Sequence, residues 1–443
     1  MNKILLLLLL ILTLGCRKFL DIDPTPSQTT TGNIYSDDLS ATSAVTGLYY
    51  SMMSAGGKLF NGGISIFPGL SADELQRSFT SPVEMPFYTN SLDSSNRDLS
   101  LLFSNGYNYI YQANGILESL AASGQVSAAT KTQLSGEAKF IRAFTYFYLV
   151  NLFGSIPLIT STNYQVSDNS PRVPIDSVYS QIDLDLQAAL SLLAPSYATG
   201  PTDSADRTRP NRWAAYALAA RVTLFQQNWA SAEALATSVI QSGAYELEPL
   251  DSVFLAASKE AIWQLQPTAT INTAEGNSFI PSSASVRPTY TISPWLLNAF
   301  QSGDQRKAHW TAFNTISGTH YYYPYKYKIR SGGSPYGEYN MVLRLAELYL
   351  IRAEARAQQG DLADALADLD LIRTRAGLPP LAGSLDQAQC LSAVQQEDRI
   401  EFLAEWGHRW LDLKRWGLAA TTLATEKGSW QTGDEWYPLP VNF

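Results

Sequence analysis

Apolar residues recur at steps of three and four between residues 343 and 375, the spacing that places side chains on one face of an α-helix. The repeat is interrupted at Gly360, so it predicts two helices joined by a tight turn. Asp361 occupies the N-cap position of the second helix, with Asp364 at the spacing of a capping box. Gly377 fits the position just past its end. This pattern is typical of a tetratricopeptide-like helical hairpin.

A helical hairpin cannot bury its apolar face alone, so further helices are expected to pack on it. The same period predicts helices at 37–54, 99–123, 131–153, 176–193, 211–227 and 229–242, and a further pair at 391–417 that breaks near Gly407. Residues 131–153 are apolar around most of the circumference, which predicts a central position. Residues 211–242 resemble the first hairpin and predict a second copy of it; two unrelated Ala-rich helices are the alternative.

Two stretches lack the helical period. Residues 58–98 contain scattered Gly, Pro, Ser and Asn and are expected to form loops. Residues 244–340 are mostly irregular, with strands predicted at 261–266 and 321–329, and Pro324 indicates an edge strand. Long irregular segments inside a compact domain usually serve function, so both insertions are candidate functional regions.

The amino terminus has the pattern of a secretory signal. Lys3 precedes an apolar run over residues 4–14, which is shorter than the ~20 residues that span a bilayer. The Leu-Thr-Leu-Gly-Cys sequence at 12–16 resembles a bacterial lipobox, in which the cysteine receives a diacylglycerol. This predicts a signal peptide at 1–15 and a lipidated Cys16 with a polar tether at 16–34. An ordinary secreted protein with a cysteine at this position is the alternative.

Charge and composition exclude several other classes. The net charge is −9, which argues against binding to nucleic acid. No nucleophile elbow or phosphate loop is present, and the three histidines are not at metal-ligand spacing, so neither catalysis nor a metal site is expected. Acidic and basic residues between Glu401 and Arg415 fall at helical steps. The pairs Glu405 with Arg409 and Arg409 with Asp412 predict structural ion pairs on one helix face.

Aromatic residues make up 12% of the chain, more than a helical core requires, so some are expected on the surface. Sugars bind to flat rings through their C–H faces and to polar side chains through their hydroxyls. Both insertions contain this mixture, and the candidate glycan-binding residues are Asp73, Arg77, Tyr88, Asn96 and Arg97 in the first, and Trp295, Trp310, Tyr321, Tyr322 and Tyr323 in the second. The alternative is that these aromatic residues pack the insertions onto the helices.

Several blocks in a fixed order carry a resemblance to a known family. They lie at 137–143, 146–147, 153–157, 174–179, 344–347, 352–354, 373–377 and 397–416. With the lipobox-like Cys16, they resemble the SusD/RagB family of outer-membrane nutrient-binding lipoproteins. The resemblance implies a mainly α fold over 35–443, in which four tetratricopeptide-like pairs carry a loop-rich, partly β insertion.

The same resemblance implies a function. A protein of this family is expected to be anchored by lipid on the outer membrane, to capture a glycan at the cell exterior without catalysis or a cofactor, and to deliver it to a SusC-like TonB-dependent transporter. A non-glycan nutrient such as a peptide, or a scaffold that binds other proteins, remains as an alternative.

Overall fold

The computed structural model describes residues 35–54, 58–167, 170–198, 206–268, 272–332, 337–381 and 383–441. The apolar amino-terminal run, Cys16 and the predicted tether lie outside these ranges. Within the described ranges, none of the helices combines the length and the apolar character needed to cross a bilayer.

The fold is mainly helical, as predicted. In chain order the helices are α1 (Asp38–Met53), α2 (Gly63–Ser71), α3 (Met85–Tyr88), α4 (Arg97–Ala122), α5 (Ala128–Phe153), α6 (Tyr164–Ser167), α7 (Ile175–Leu192), α8 (Arg212–Phe225), α9 (Trp229–Gln241), α10 (Ala274–Phe279), α11 (Pro294–Ala299), α12 (Gln305–Trp310), α13 (Leu345–Gln359), α14 (Leu362–Arg375), α15 (Gln387–Glu401), α16 (His408–Arg415) and α17 (Ala419–Lys427).

Short strands pair in antiparallel twos among the described residues. They are β1 (Leu75–Arg77) with β5 (Tyr290–Ile292), β2 (Ile156–Pro157) with β3 (Arg172–Val173), β4 (Ala261–Leu265) with β8 (Asn340–Arg344), and β6 (Thr311–Ile316) with β7 (Thr319–Pro324). The strand predicted at 261–266 is confirmed. The one predicted at 321–329 is displaced, because it begins at Thr319 and ends at Pro324, which has no N–H for further pairing.

The long helices of the described chain pack in four successive pairs: α1 with α4, α5 with α7, α8 with α9, and α13 with α14. Neighbouring pairs touch through α4 and α5, through α7 and α8, and through α9 and α13, so the pairs stack in chain order. Each pair covers an apolar face that its neighbour leaves open, as the sequence predicted for tetratricopeptide-like repeats.

Polar side chains mark the starts of several helices. The Asn96 side chain accepts hydrogen bonds from two backbone N–H groups at the start of α4, at 3.0 and 3.1 Å. Asp386 and Gln389 form a reciprocal capping box on α15. Asp361 occupies the predicted N-cap of α14, but its side chain makes no capping hydrogen bond. The turn before it is made instead by Gly360 in the left-handed conformation, with φ of 86°.

The core is centred on α5, which confirms the central position predicted for 131–153. The buried Phe144 ring lies 4.9 Å from Phe60, 5.1 Å from Trp263 and 5.7 Å from Trp406, measured between ring centroids. These three rings come from the first insertion, from β4 and from the start of α16. Aromatic contacts on one helix therefore hold distant parts of the chain together.

Helix α2 corrects the expectation that residues 58–98 form only loops. All nine of its residues are buried, and it packs against α16. Gly62, Gly63 and Pro68 gave this segment the composition of a loop. A short helix with poor intrinsic propensity forms here because tertiary packing covers it on every side.

Buried arginine–carboxylate pairs join the helices to one another. Arg142 on α5 makes two hydrogen bonds to Asp185 on α7, both of 2.7 Å. Arg352 on α13 binds Asp368 on α14 in the same manner, at 2.8 and 2.6 Å. Paired bonds of this kind fix the orientation of both side chains, so they set the register between the two helices of a pair.

Arg344 is the centre of the densest cluster. It is 1% exposed and stands where β8 passes into α13. Its Nη1 lies 2.9 Å from Glu260 Oε1, its Nε lies 2.8 Å from Glu405 Oε1, and it also binds Glu401. One guanidinium thereby connects β4, the end of α15 and the turn before α16.

Burial alone would raise the pKa of Glu401, but Arg375, Arg344 and Arg306 together hold it well below its usual value. Glu401 is thus ionised at neutral pH, and its charge depends on these arginine partners.

The predicted structural ion-pair network is confirmed, but the predicted pairs within it are wrong. Arg409 binds Asp73, with Nε 2.7 Å from Oδ1, and does not bind the two acids at helical spacing on its own segment. Glu405 faces β8, and Asp412 binds Arg415 at 2.7 Å. The pairs predicted for Arg409 were wrong because its side chain faces the core, where a partner from a distant element is closer; Asp412 and Arg415 do pair at a helical step of three.

We expect Arg344→Met to lower the free energy of unfolding by about 3–5 kcal/mol, because three carboxylates lose a shared buried partner. Urea unfolding followed by circular dichroism measures this. Arg97→Gln is the control, since its side chain is 77% exposed; its effect should stay within about 0.5 kcal/mol. Equal unfolding midpoints for the two variants would contradict the role given to Arg344.

Glu74 gives the fold a distinct pH dependence. Burial raises its pKa to about 8, and the neighbouring Asp73 charge adds to this. Its Oε1 accepts a hydrogen bond of 2.9 Å from the Ala404 N–H, while its buried Oε2 has no partner. The folded chain therefore binds a proton that the unfolded chain releases above its ordinary carboxyl pKa, and this contribution to stability is lost as pH rises towards 8.

Glu74→Gln should remove that loss, because an amide does not titrate. Between pH 5.5 and 8.5 the variant should lose about 3 kcal/mol less stability than the parent chain. Unfolding curves across this range test the expectation, with Glu246→Gln as control because Glu246 is 67% exposed. Parallel pH profiles for the parent and Glu74→Gln would show that Glu74 is already ionised in the fold.

Candidate functional site

The two insertions, which are far apart in sequence, meet in the fold. Strand β1 of the first pairs with β5 of the second, and Arg77 stands opposite Tyr290. The pairing continues one step further, since the Ser78 N–H donates to the Thr289 carbonyl at 2.9 Å. The two regions predicted separately as ligand-binding therefore form one surface.

A β-hairpin, β6–β7, projects beside this junction. Its two-residue turn is Ser317-Gly318, and both residues have positive φ, 51° and 81°. Such turns match the twist of antiparallel strands and fix their register. The register places Phe313 opposite Tyr322 and Asn314 opposite Tyr321. Because side chains alternate along a strand, Tyr321 and Tyr322 lie on opposite faces of the hairpin.

The outer face of the hairpin carries three rings: Phe313, His320 and Tyr322. Phe313 is 48% exposed, and its ring centroid lies 4.5 Å from His320 and 5.1 Å from Tyr322. His320 Nδ1 is 2.8 Å from Thr315 Oγ1, which orients the imidazole. We name these three side chains the ring triad. It offers apolar ring surface next to hydroxyl and imidazole groups that form hydrogen bonds.

The inner face of the hairpin packs on the loop before β5. The Asn314 side-chain amide donates to the carbonyls of Ser283 and Val286, at 2.8 and 2.6 Å. Next to this contact the Arg287 guanidinium lies against two rings, with its Cζ 4.3 Å from the centroid of Tyr321 and 5.7 Å from that of Phe79. Phe79 is 51% exposed, so this stack reaches the surface.

Three of the predicted ligand-binding residues have structural roles instead. Asp73 is buried and its carboxylate binds Arg409. Asn96 is buried and caps α4. Trp310 is fully buried, and its indole N–H donates to the Leu250 carbonyl at 3.0 Å. Because their polar groups are already satisfied in the interior, we correct these three assignments.

The other predicted residues lie at or near the surface, except Tyr323, which is buried. Arg77 pairs with Glu84, which also accepts a hydrogen bond from Tyr290. Tyr88 is half-buried, and the Lys427 ammonium lies 5.0 Å from its ring centroid. The remaining members of this group are Trp295, which is half-buried, Arg97, which is exposed, and Tyr321 and Tyr322, described above. Tyr323 is 7% exposed and points inward, so its predicted contact with a ligand is corrected as well.

Phe79, Arg287, Phe313 and His320 were not among the predicted site residues. A signal for Phe313 was present, because residues 311–316 and 319–324 alternate as two strands around Ser317-Gly318. Reading this as a hairpin would have placed Phe313 beside Tyr322. No local pattern marks Arg287, since its contact with Phe79 depends on the pairing of β1 with β5.

A separate groove of about 740 Å³ opens between the ends of α5, α7 and α8 on one side and α16, α17 and the following segment on the other. Trp430 and Trp436 form part of its wall. The Lys414 ammonium lies 3.9 Å from the Trp436 ring centroid, and burial lowers the pKa of Lys414 to about 7. None of these groove residues was among the predicted ligand-binding residues.

The histidines and acids of the described chain do not form a metal site: no group of three or more His, Cys, Asp and Glu side chains is arranged to hold a metal. His309 lies 2.8 Å from Asp251, and His408 stacks on Phe402 at 4.2 Å between centroids. Cys390 is buried in the core.

Comparisons with known proteins agree with this architecture. Residues 18–224 match the family model described as "Starch-binding associating with outer membrane", and residues 298–443 match the model of the SusD family. A SusD-like protein of Formosa agariphila is 26% identical over 94% of this chain and 90% of its own length. A SusD-like protein of Bacteroides ovatus is 24% identical over 78% of this chain and 70% of its own.

Solved structures extend the comparison to the fold. A SusD superfamily protein of Bacteroides vulgatus superposes with a TM-score of 0.79 at 21% identity and covers 92% of this chain and 96% of its own. A laminarin-binding SusD-like protein gives a TM-score of 0.74 at 25% identity, with 92% and 97% covered. The stacked helical pairs, the two family models and relatives along most of the chain show that this protein belongs to the SusD/RagB family of outer-membrane-associated, carbohydrate-binding proteins.

Proposed function

We propose that this protein captures a glycan at the cell surface, without catalysis, on the outer face of the β6–β7 hairpin. The observation that carries the proposal is the ring triad. Its largest apolar member, Phe313, is 48% exposed and is held against Tyr322 by strand pairing. Exposed rings of fixed orientation suit the C–H face of a sugar, since little side-chain freedom is lost on binding.

The surroundings of the triad suit a chain of sugars. The hairpin surface is open, so a glycan longer than a few units fits across it without entering a closed pocket. Polar groups stand beside the rings, namely the imidazole of His320 and the Tyr322 hydroxyl, and both can bond sugar hydroxyls. Support for the ligand class comes from the family and from the laminarin-binding neighbour.

Binding without catalysis also agrees with the placement of the acids. Glu401 and Glu405 are buried and bound to arginine and lysine side chains. Glycoside hydrolysis requires two carboxyl groups that face the scissile bond, and these two are inaccessible to a ligand on the hairpin.

Isothermal titration against a glycan panel tests the site. For the best glycan, Phe313→Ala and Tyr322→Ala should each weaken affinity by about tenfold, or ~1.4 kcal/mol. Tyr111→Ala is the matched control, because Tyr111 is 57% exposed but lies on α4.

A Trp436→Ala variant distinguishes the hairpin from the groove. Loss of binding in Trp436→Ala, with both hairpin variants unaffected, would move the glycan site to the groove. No binding to any glycan would overturn the proposal and favour another nutrient, such as a peptide.

The anchor and the partner are further parts of the proposal. We propose that Cys16 carries a diacylglycerol, that this lipid holds the chain on the outer membrane facing the cell exterior, and that the chain delivers its glycan to a SusC-like TonB-dependent transporter. The apolar run followed by Gly15-Cys16 and the membrane-associated family description support this. A protein-interaction scaffold built on the stacked helical pairs is the alternative.

Fractionation of cells that express the tagged full-length chain tests both parts. The parent chain should remain with membranes and co-purify with a TonB-dependent transporter after detergent extraction. Cys16→Ala should move to the soluble fraction, because a protein without acyl chains loses ~0.8 kcal/mol for each methylene that would be buried in the bilayer. Membrane retention of Cys16→Ala would refute the anchor, and co-purification with an unrelated complex would favour the scaffold.

A further inference from the structure

Arg287 differs from the other arginines described in this region. Arg306 is bound by Asp304, and Arg77 is bound by Glu84. Arg287 makes no hydrogen bond or ion pair with any residue in the part of the chain that the structure describes. Its Nε is buried without a partner, whereas its two terminal nitrogens keep contact with solvent. A permanently charged group is therefore presented on the surface with its donors free.

The position of this guanidinium is fixed by its neighbours. The Tyr321 ring centroid lies 4.3 Å from Cζ, and the Phe79 ring centroid lies 5.7 Å from it. Tyr321 is held by the hairpin register, and Phe79 follows strand β1, which is paired to β5. Stacking of this kind holds the planar group in one orientation, so little freedom is lost when its donors bind a ligand.

The group lies on the same hairpin as the proposed sugar surface, but on its other face. Tyr321 is the chain neighbour of Tyr322 in the ring triad and points to the opposite side of β7, so the charge stands across this strand from the rings. The carboxylate of the junction, Glu84, is already bound by Arg77 and Tyr290 and so does not neutralise Arg287. A glycan that extends from the ring triad around the hairpin to the exposed Phe79 would bring an anionic substituent to a fork of unpaired N–H donors.

We propose that Arg287 makes this protein selective for acidic glycans, those that carry a carboxylate or a sulfate ester. This inference rests on the glycan-binding function proposed above and deepens it. A guanidinium binds either anion through two parallel N–H···O bonds, and charge-assisted bonds of this type are about twice as strong as neutral ones. Since the chain has a net charge of −9, attraction of such a ligand depends on a local cation rather than on the overall field.

The test compares each acidic glycan with its own uncharged form. Oligogalacturonides are titrated beside their carboxyl-reduced products, and sulfated galactan oligosaccharides beside their desulfated products. The readout is the ratio of the two affinities, which cancels the contribution of the shared sugar backbone. For at least one acidic glycan, the parent chain should bind the charged form about tenfold more tightly than its uncharged form. A preference among the oligogalacturonides identifies carboxylate as the recognised group, and one among the galactans identifies sulfate.

Variants assign the preference to Arg287. Arg287→Gln should bring the ratio close to one, and Arg287→Lys should give an intermediate ratio, because lysine keeps the charge but loses the planar fork. Arg172→Gln is the matched control: it changes the net charge equally, and Arg172 is an exposed residue on β3. Thermal unfolding checks that each variant folds. If Arg287→Gln does not fold, the affinity ratio of Arg287→Lys still tests the role of the guanidinium.

The outcomes separate this inference from the proposed function. Binding of glycans with a ratio near one in the parent chain, or an Arg287→Gln ratio equal to that of the parent, overturns selectivity for acidic glycans and leaves glycan capture intact. Failure of every glycan, charged or uncharged, to bind overturns both.

Discussion

The structure depends on one buried guanidinium. Arg344 is bound at once by acids from β4, from the end of α15 and from the turn that leads into α16. Removing it from water is unfavourable, and only the simultaneous placement of all three carboxylates compensates for that. The cluster therefore constrains the whole fold. It fixes the position of α15 and α16 relative to the β4–β8 strand pair, from which the fourth helical pair, α13 and α14, begins.

Ion pairs of the same type attach the two insertions to the helices. Lys326, just after β7, binds Glu405 at 2.7 Å, and Asp73, just before β1, binds Arg409. The loop before α11 is fixed by a hydrogen bond of 2.8 Å from the Ser293 N–H to the Glu74 carbonyl. The insertions contain little regular structure, but their ends are bound to the core by charged groups. A ligand surface on loops gains from this, because a fixed surface loses less freedom on binding.

The sequence was sufficient for the parts of the fold that rest on local pattern. The helical period located α5, α8, α9, α13 and α14, and the break at Gly407 was placed correctly because that residue takes a left-handed conformation, with φ of 68°. Local pattern was misleading where tertiary packing decided the outcome. Helix α2 has the composition of a loop and folds only because it is surrounded.

The candidate site was predictable in region but not in detail. Aromatic content and irregular sequence identified both insertions, yet Trp310 proved to be a core residue and Asp73 a partner of Arg409. Burial cannot be read from the identity of a tryptophan or an aspartate in a loop, because it depends on contacts far away in sequence. The stacking of Arg287 with Phe79 requires residues more than two hundred positions apart to meet, and no short motif records that.

The alternation of the β6–β7 hairpin divides its residues by task. Asn314 and Tyr323 point inward and secure the hairpin, while Phe313 and Tyr322 share the outer face, where Phe313 is 48% exposed. Mutations on the outward positions can thus vary the chemistry offered to solvent without disturbing the attachment beneath it. In these two six-residue strands, the inward positions can therefore stay constant and keep the fold, while the outward positions change and alter which ligand is bound.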